Sequence, residues 1–200
     1  MRMLSKSLPG FLLAQALGWV LMVLVPIVVG NSSVDTRLER VAFAIPAAPD
    51  PSESWGSAVD AFARKVSLAF GGRRIEASEF AGWILEASER QELEPELLAS
   101  LVQTESTFKK HARGLRGAVG PAQIKPRLWS QFCGTSNLMD PAENIYCGAQ
   151  VLSHLRDECG GELCALQAYN TGLWAKRPHA ARQYVAKIDR ALDRLRSTQI

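Results

Sequence analysis

The chain has 200 residues, of which 47% are hydrophobic and 22% charged, and its formal net charge is +3 at pH 7. This length suits one ordinary domain with an appendage better than two full domains, and the composition excludes a disordered chain. A nucleic-acid-binding protein is expected to concentrate basic residues in a patch, so a charge this small argues against nucleic acid as a partner. A slight positive balance is equally compatible with an anionic polymer and with an ordinary solvated surface.

The first predicted element is a membrane segment within residues 1–30. Arg2 and Lys6 precede a stretch from Phe11 to Val29 that has no charged residue. A basic start followed by about 20 apolar residues predicts insertion into a bilayer. Cleavable signals usually have shorter apolar runs of ~7 to 15 residues, so the pattern favours an uncleaved anchor, with removal as a signal peptide as the alternative. Both alternatives place the rest of the chain outside the cytoplasm.

A spacer and a short amphipathic helix are expected next. Residues 31–56 contain Pro46, Pro49 and Pro51 without a sustained period, which predicts a flexible Pro/Ala/Ser-rich spacer. Residues 57–75 predict an amphipathic helix followed by a glycine turn.

Residues 76–200 are consistently helical in pattern. Pro95 suits the first turn of one helix, and Asp140 followed by Pro141 predicts the capped start of another. Further helices are predicted from Leu163 to Asn170 and from Ala180 to Arg196. No strong strand alternation appears, so the expected fold is mainly α, with at most a minor β element between Arg113 and Gln123.

Four cysteines lie in the second half of the chain: Cys133, Cys147, Cys159 and Cys164. In an exported domain an even number of cysteines predicts disulfides. Cys159 and Cys164 bracket a glycine turn, which makes a local bridge easy and pairs Cys133 with Cys147. Buried free thiols are the alternative. The histidines are scattered and no paired C-x-x-C occurs, so no metal site is predicted.

Glu105 is the candidate catalytic residue, because it continues an apolar helical stripe that includes Leu98, Leu101 and Val102. An apolar face and a nearby helix C-terminus both disfavour a negative charge and raise the pKa of a carboxyl group. Such an acid can protonate a glycosidic oxygen near neutral pH. The alternative is a buried acid satisfied by a local hydroxyl or by Arg113.

Four short motifs follow one another along the chain. They read Q-T-E-S-T-F at 103–108, G-A-V-G-P-A-Q-I at 117–124, D-P-A-E-N-I at 140–145 and A-Y-N-T-G at 168–172. In this order and spacing the chain resembles the soluble-type (SLT) lytic transglycosylases, a lysozyme-like family that cleaves bacterial peptidoglycan. The resemblance covers roughly residues 76–196.

The resemblance implies a set of site residues around Glu105. Six positions match substrate-contacting positions of the family: Ser106, Gln123, Asn144, Tyr169, Asn170 and Tyr184. Each also has a structural alternative, such as local backbone hydrogen bonds for Ser106 and core packing for Tyr184. Pro121 and Ala122 stand where the family has Leu and Met, which puts an apolar contact to the acetamido group of the sugar in doubt.

The resemblance also implies a mechanism without cofactor or metal. One glutamate acts first as acid and then as base, while the N-acetyl group and C6 hydroxyl of the substrate replace an enzyme nucleophile and water, leaving a 1,6-anhydro sugar. A hydrolytic lysozyme and a catalytically lapsed peptidoglycan-binding protein are the alternatives. Small family members accompany secretion, conjugation and phage-entry systems, so a periplasmic enzyme at the inner membrane, associated with an envelope complex, is expected.

Overall fold

The computed structural model describes residues 51–134, 137–174 and 177–200. The predicted membrane segment and most of the predicted spacer lie outside these residues. Seven α-helices occur in the described part, in the order α1 Pro51–Phe70, α2 Arg74–Arg90, α3 Pro95–Ser106, α4 Pro126–Cys133, α5 Pro141–Cys159, α6 Glu162–Thr171 and α7 Pro178–Ser197. No helix in these residues is both long and apolar enough to cross a bilayer.

The expected fold class, mainly α with a minor β element, is confirmed for the described residues. Two isolated antiparallel bridges, Arg113 to Val119 and Val119 to Ile124, are the β structure found there. A short 3₁₀ turn, Leu115–Gly117, lies between them in the sequence. The β element thus falls in the glycine-containing region where it was predicted, and ends one residue later.

Helix α1 begins earlier than predicted and belongs to the main core. It starts at Pro51, so residues 51–56 of the predicted spacer are helical. Proline breaks a helix interior but is favoured in the first turn, so a proline-containing segment is compatible with a helix start. Phe62 and Val66 of this helix are buried in the same apolar cluster as Phe80 of α2. The predicted helix of residues 57–75 therefore packs into the same core as the helix that follows it.

Helix α3 is the central element for the site. Pro95 occupies its first turn, as predicted, and Leu98, Leu101 and Val102 are fully buried. The helix ends at Ser106, because Thr107 takes a left-handed conformation with φ 53° and ψ 45°. Glu105 consequently lies in the last turn.

The start of α5 is also as predicted. The Asp140 carboxylate accepts hydrogen bonds from the backbone N–H groups of Ala142 and Glu143, at 2.9 and 3.1 Å. This contact satisfies two donors that the helix cannot pair internally. Helix α4 was not predicted. It has only eight residues, so the apolar positions Leu128, Trp129, Phe132 and Cys133 form a stripe of about two turns. A stripe this short is below the window in which helical periodicity is recognised.

Both predicted disulfides are present. Cys133 at the end of α4 bonds Cys147 of α5, with Cα atoms 5.3 Å apart. Cys159 at the end of α5 bonds Cys164 of α6, with Cα atoms 5.6 Å apart. The first bridge ties α4 to a position within α5, and the second ties α6 to the C-terminal end of α5.

Helices α3 and α7 run antiparallel beside each other. Arg196, near the end of α7, forms an ion pair with Glu94, the residue before α3. At the opposite end, Tyr184 of α7 reaches Glu105 in the last turn of α3. This pairing fixes which side of α7 faces the candidate catalytic residue.

Candidate active site

Glu105 is a largely desolvated acid with one close partner. Its Oε1 accepts a hydrogen bond of 2.6 Å from the Tyr184 hydroxyl. Burial raises the pKa of Glu105, while the Tyr184 hydrogen bond and the positive charges of Lys125 and Lys187 lower it, and the net shift is upward. Arg113, the partner considered from the sequence, does not bond it.

An open cleft of about 440 Å³ adjoins Glu105. Eight residues line it: Glu105, Leu115, Arg116, Ala118, Gln123, Lys125, Tyr169 and Asn170. The cleft brings four of the predicted site residues together from α3, the glycine-containing loop and α6. Among these lining residues Glu105 is the only carboxylate. The volume is in the range of small-ligand sites.

Tyr169 forms part of the cleft wall and anchors the loop beside it. Its hydroxyl donates to the Ala122 carbonyl at 2.9 Å. Burial, and to a smaller extent the charge of Glu105, raises the pKa of Tyr169 well above its ordinary value, so the hydroxyl remains a neutral donor. Gly148 of α5 allows this approach, because a Cβ there would lie 2.6 Å from the Ala122 Cβ and 3.2 Å from the Tyr169 hydroxyl.

Gln123 lines the cleft in a constrained backbone conformation. Its φ is 52°, which is unusual for a residue with a side chain. The side-chain Nε2 donates to the Gly120 carbonyl at 2.9 Å. Its Oε1 would lie 1.8 Å from a Cβ at position 114, so Gly114 leaves the space that the amide occupies.

Asn144 does not line the cleft, so it is not among the predicted site residues that the cleft brings together. The residue has no exposed surface. Its Oδ1 accepts from the Ala122 N–H at 2.8 Å, and its Nδ2 donates to the carbonyls of Val119 and Leu138 at 2.8 and 2.9 Å. A side chain with these three bonds holds the loop that presents Gln123. Sequence matching identified the position but not the direction of the side chain.

Ser106 is likewise turned inward. Its hydroxyl donates to the Val102 carbonyl at 3.2 Å and accepts from the Lys109 N–H at 3.3 Å. The residue is buried and does not line the cleft. The local backbone bonding considered as an alternative is therefore what the structure contains.

Tyr184 acts from behind the cleft wall, being buried and outside the residues that line the cleft. Burial and the neighbouring Glu105 raise its pKa well above the ordinary tyrosine value, so it stays protonated and donates to the carboxylate. Asn170, in contrast, is an exposed lining residue, at the end of α6.

Four lining residues were missed from the sequence: Leu115, Arg116, Ala118 and Lys125. Leu115 is 89% exposed, whereas Ala122, at the position of the family's Met, is fully buried. The apolar surface of the cleft is thus supplied in part from the 3₁₀ turn. The sequence signal for Leu115 was an apolar residue within a loop rich in glycine and arginine. Periodicity assigns residues of helices and strands, so it could not identify the role of a single loop residue.

These features define a class of protein: a helical domain that has one largely buried carboxylic acid at the wall of an open cleft. The Transglycosylase SLT domain family matches residues 82–191, more than half of the chain, and the chain belongs to this family.

Two relatives and one solved structure give the range of similarity. The chain is 38% identical over 86 residues to a protein named Transglycosylase from Enterobacteria phage PRD1, covering 43% of this chain and 32% of that protein. It is 25% identical over 128 residues to Membrane-bound lytic murein transglycosylase C of Actinobacillus pleuropneumoniae serotype 5b (strain L20), covering 55% and 35%. The match therefore spans about a third of the length of each relative.

The solved structure is an X-ray structure of an inactive mutant of the lytic transglycosylase Slt from Pseudomonas aeruginosa. It is 23% identical, with a TM-score of 0.42, and the match covers 56% of this chain and 21% of that chain.

Proposed function

We propose that this protein is a peptidoglycan lytic transglycosylase with Glu105 as its single acid and base. It cleaves the β-1,4 bond between N-acetylmuramic acid and N-acetylglucosamine and forms a 1,6-anhydro-muramic acid end. The observation that carries this proposal is the isolation of Glu105, which is the only carboxylate among the described residues of the cleft and has a raised pKa. Family membership supports the same activity.

The absence of a second lining carboxylate distinguishes between mechanisms. Most retaining and inverting glycosidases need two carboxyl groups, about 5 to 9.5 Å apart, one as acid and one as nucleophile or base. Glu105 stands alone among the lining residues, which supports a nucleophile supplied by the substrate. The N-acetyl group of muramic acid and its C6 hydroxyl are suited to this role.

The proposed reaction returns the enzyme to its starting state. Protonated Glu105 gives its proton to the bridging oxygen as the bond from C1 to that oxygen breaks, and the acetamido oxygen forms a temporary bond to C1. The resulting carboxylate then takes the proton of the C6 hydroxyl. The C6 oxygen attacks C1, displaces the acetamido oxygen, and closes the anhydro ring. No water and no cofactor enters the balance.

The hydrogen bond from Tyr184 supports different roles for the two oxygens of the Glu105 carboxyl group. Oε1 of Glu105 is occupied by the tyrosine hydroxyl, which leaves Oε2 to exchange the proton with substrate. The bond also stabilises the carboxylate formed after the first step. Burial keeps the group protonated at the start, so the two effects balance acid and base strength.

Sugar contacts are proposed for the other lining residues. The amides of Gln123 and Asn170 match the hydroxyl and acetamido groups of the glycan. Leu115 offers exposed apolar surface for an acetamido methyl group, in place of the buried Ala122. Tyr169 presents its ring at the wall while its hydroxyl holds the loop.

The decisive test is mass spectrometry of muropeptides released from purified sacculi. Wild-type protein should release anhydro-muropeptides, and Glu105→Gln should release them at a rate at least about a hundredfold lower. Glu158→Gln is the matched control, because Glu158 is an exposed carboxylate that does not line the cleft. Products with reducing ends alone would identify a hydrolytic lysozyme. Equal release by wild type and Glu105→Gln would remove Glu105 from the mechanism.

We also propose that residues 1–30 hold the enzyme at the periplasmic face of the inner membrane, where it opens the wall locally for an envelope-spanning complex. One relative is named as membrane-bound and another comes from a phage. Membrane fractionation with N-terminal sequencing tests the anchor, and a soluble periplasmic protein lacking residues 1–30 would favour a cleaved signal.

Crosslinking in cells tests the association with an envelope-spanning complex, and this part of the proposal fails if no envelope complex retains the protein.

A further inference from the structure

Three cationic side chains form a stripe along one face of α7: Lys187, Arg190 and Arg194. They are spaced three and four residues apart, which places them on the same side of the helix. All three are exposed, and they line an open groove of about 350 Å³ together with Phe70, Gln103, Thr104 and Ala191. None of the three forms an ion pair in the described part of the chain. We call this set the basic stripe.

The groove offers hydrogen-bond donors and positive charge without matching acceptors. Glu96 of α3 pairs with Lys65, and Glu94 pairs with Arg196, so these acids are engaged elsewhere. Asp189 and Asp193 lie on α7 but do not line the groove. The Gln103 side-chain amide likewise makes no hydrogen bond to a described residue. These features fit an anionic ligand that has acceptor oxygens.

The stripe begins close to the catalytic residue. Lys187 follows Tyr184 by about one helical turn, and its charge acts on Glu105. From Lys187 to Arg194 the stripe extends by seven residues, which is about 10 Å along the helix. An extended peptide of three residues has about the same length. A peptide branch of about three residues is therefore long enough to follow the stripe from Lys187, the end nearer Glu105, to Arg194.

We propose that the basic stripe binds the carboxylates of the stem peptides of peptidoglycan while the glycan lies in the Glu105 cleft. Each stem is a short peptide joined to the lactyl group of muramic acid, and it carries free carboxylates along its length. Guanidinium groups pair such carboxylates in a two-pronged geometry, and the Gln103 amide adds a further donor. The enzyme would then prefer peptide-bearing strands over bare glycan. This inference rests on the proposed function.

The test compares two substrates and one double variant. Glycan strands that retain their stem peptides, and the same strands stripped by an amidase, are digested by wild type and by Arg190→Gln/Arg194→Gln. The measured quantity is the ratio of kcat/KM on the two substrates. The double variant should lower this preference about tenfold, since each exposed charge contact contributes a factor of roughly three. Higher ionic strength should reduce the wild-type preference in the same direction.

Arg182→Gln is the matched control, because Arg182 is an exposed arginine of the same helix that does not line the groove. It should keep the wild-type ratio. The single variants Arg190→Gln and Arg194→Gln should each give intermediate ratios, and circular dichroism confirms that all variants fold. A double variant that fails to fold leaves these single variants to decide.

An unchanged ratio overturns the inference, and so does an equal loss on both substrates, because the stripe would then support the fold or Glu105 itself. Binding of wild type, but not of the double variant, to phosphatidylglycerol vesicles with an unchanged ratio would assign the stripe to anionic lipid instead. The drop in anhydro products with Glu105→Gln is a separate result, so the inference can fail while the proposed function stands.

Discussion

The Tyr184 hydroxyl and Oε1 of Glu105 are joined by a 2.6 Å hydrogen bond across 79 positions of sequence. The bond connects α7 to the last turn of α3. Burial favours the neutral acid and the tyrosine favours the carboxylate, so the protonation of Glu105 depends on both. A residue that must give and then recover a proton needs such opposing influences.

Replacing Tyr184 by Phe should lower kcat about fivefold, because loss of one orienting hydrogen bond costs about 1 kcal/mol in the transition state. The tyrosine lowers the pKa of Glu105, so its removal raises that pKa further. The first step needs the protonated acid, and the rate falls as pH rises through the pKa. The alkaline limb of the pH profile should therefore move to higher pH. A limb that stays in place or moves to lower pH would contradict the assigned role of Tyr184.

Replacing Glu105 by Gln should lower activity by roughly 10² to 10⁴-fold, the usual contribution of a general acid and base. The same change should raise the thermal midpoint at neutral pH. The pKa of Glu105 is higher in the folded than in the unfolded chain, so the protonated acid stabilises the fold and this stability is lost as pH rises through the folded pKa. A neutral amide avoids that loss.

The gain from Glu105→Gln should shrink as pH falls and vanish below the ordinary glutamate pKa of about 4.3, where both proteins are neutral at this position. Thermal unfolding of the two proteins across this pH range measures the difference. A variant that is less stable at neutral pH would show that the charged form is favoured by the fold.

Local chemistry made part of the structure predictable from the sequence. The start of α5 is set by Asp140 and Pro141 within one turn, and Glu105 stands out because it is an acid at a position that continues an apolar stripe. Both signals lie within a few neighbouring residues. The bond between Tyr184 and Glu105 depends instead on how α7 packs along α3, which no local pattern specifies.

The residues that were missed and the predicted residues whose side chains turn away from the cleft have the same physical explanation. Lys125 and Leu115 reach the cleft through the path of an irregular loop, and the apolar stripe of helix α4 spans only about two turns, too few for a helix to be recognised by periodicity. Asn144 and Ser106 match family positions, yet their side chains turn toward backbone groups inside the domain. A motif specifies which residue is present, whereas side-chain direction depends on the packed backbone around it.

Asn144 and Gly120 should be energetically coupled. A Cβ at position 120 would lie 2.3 Å from the Asn144 Cγ, and Gly120 also has a φ of 73°, which disfavours any side chain. Asn144→Ala should cost about 3 kcal/mol, because the Ala122 N–H and the Leu138 carbonyl lose their side-chain partner, while the Val119 carbonyl keeps only its bond from the Ile124 N–H. Gly120→Ala should cost about as much, from the clash and from the backbone strain.

A double-mutant cycle by urea unfolding separates the two contributions of Gly120. In the Asn144→Ala background the clash disappears and the strain remains, so Gly120→Ala should cost less there, with a coupling of about 1 kcal/mol or more. Strict additivity would mean that the two side chains do not compete for space. Activity should fall in both single variants because the loop carrying Gln123 is no longer held.

The two disulfides should differ in how much they stabilise the domain. Cys133 and Cys147 are 14 residues apart, whereas Cys159 and Cys164 are 5 apart. A bridge that closes a longer loop removes more entropy from the unfolded chain, so loss of the first should cost about 3 kcal/mol and loss of the second about 2 kcal/mol. Paired Cys→Ala variants, compared by urea unfolding under oxidising conditions, measure both values.

Under reducing conditions the free energies of unfolding of the wild type and both variants should converge. A small difference should remain for the first pair, because replacing the buried Cys147 thiol by the smaller alanine leaves a cavity. A larger loss for the Cys159 pair would mean that the bridge acts mainly in the folded state, by holding α6 and the Tyr169 it presents against the cleft.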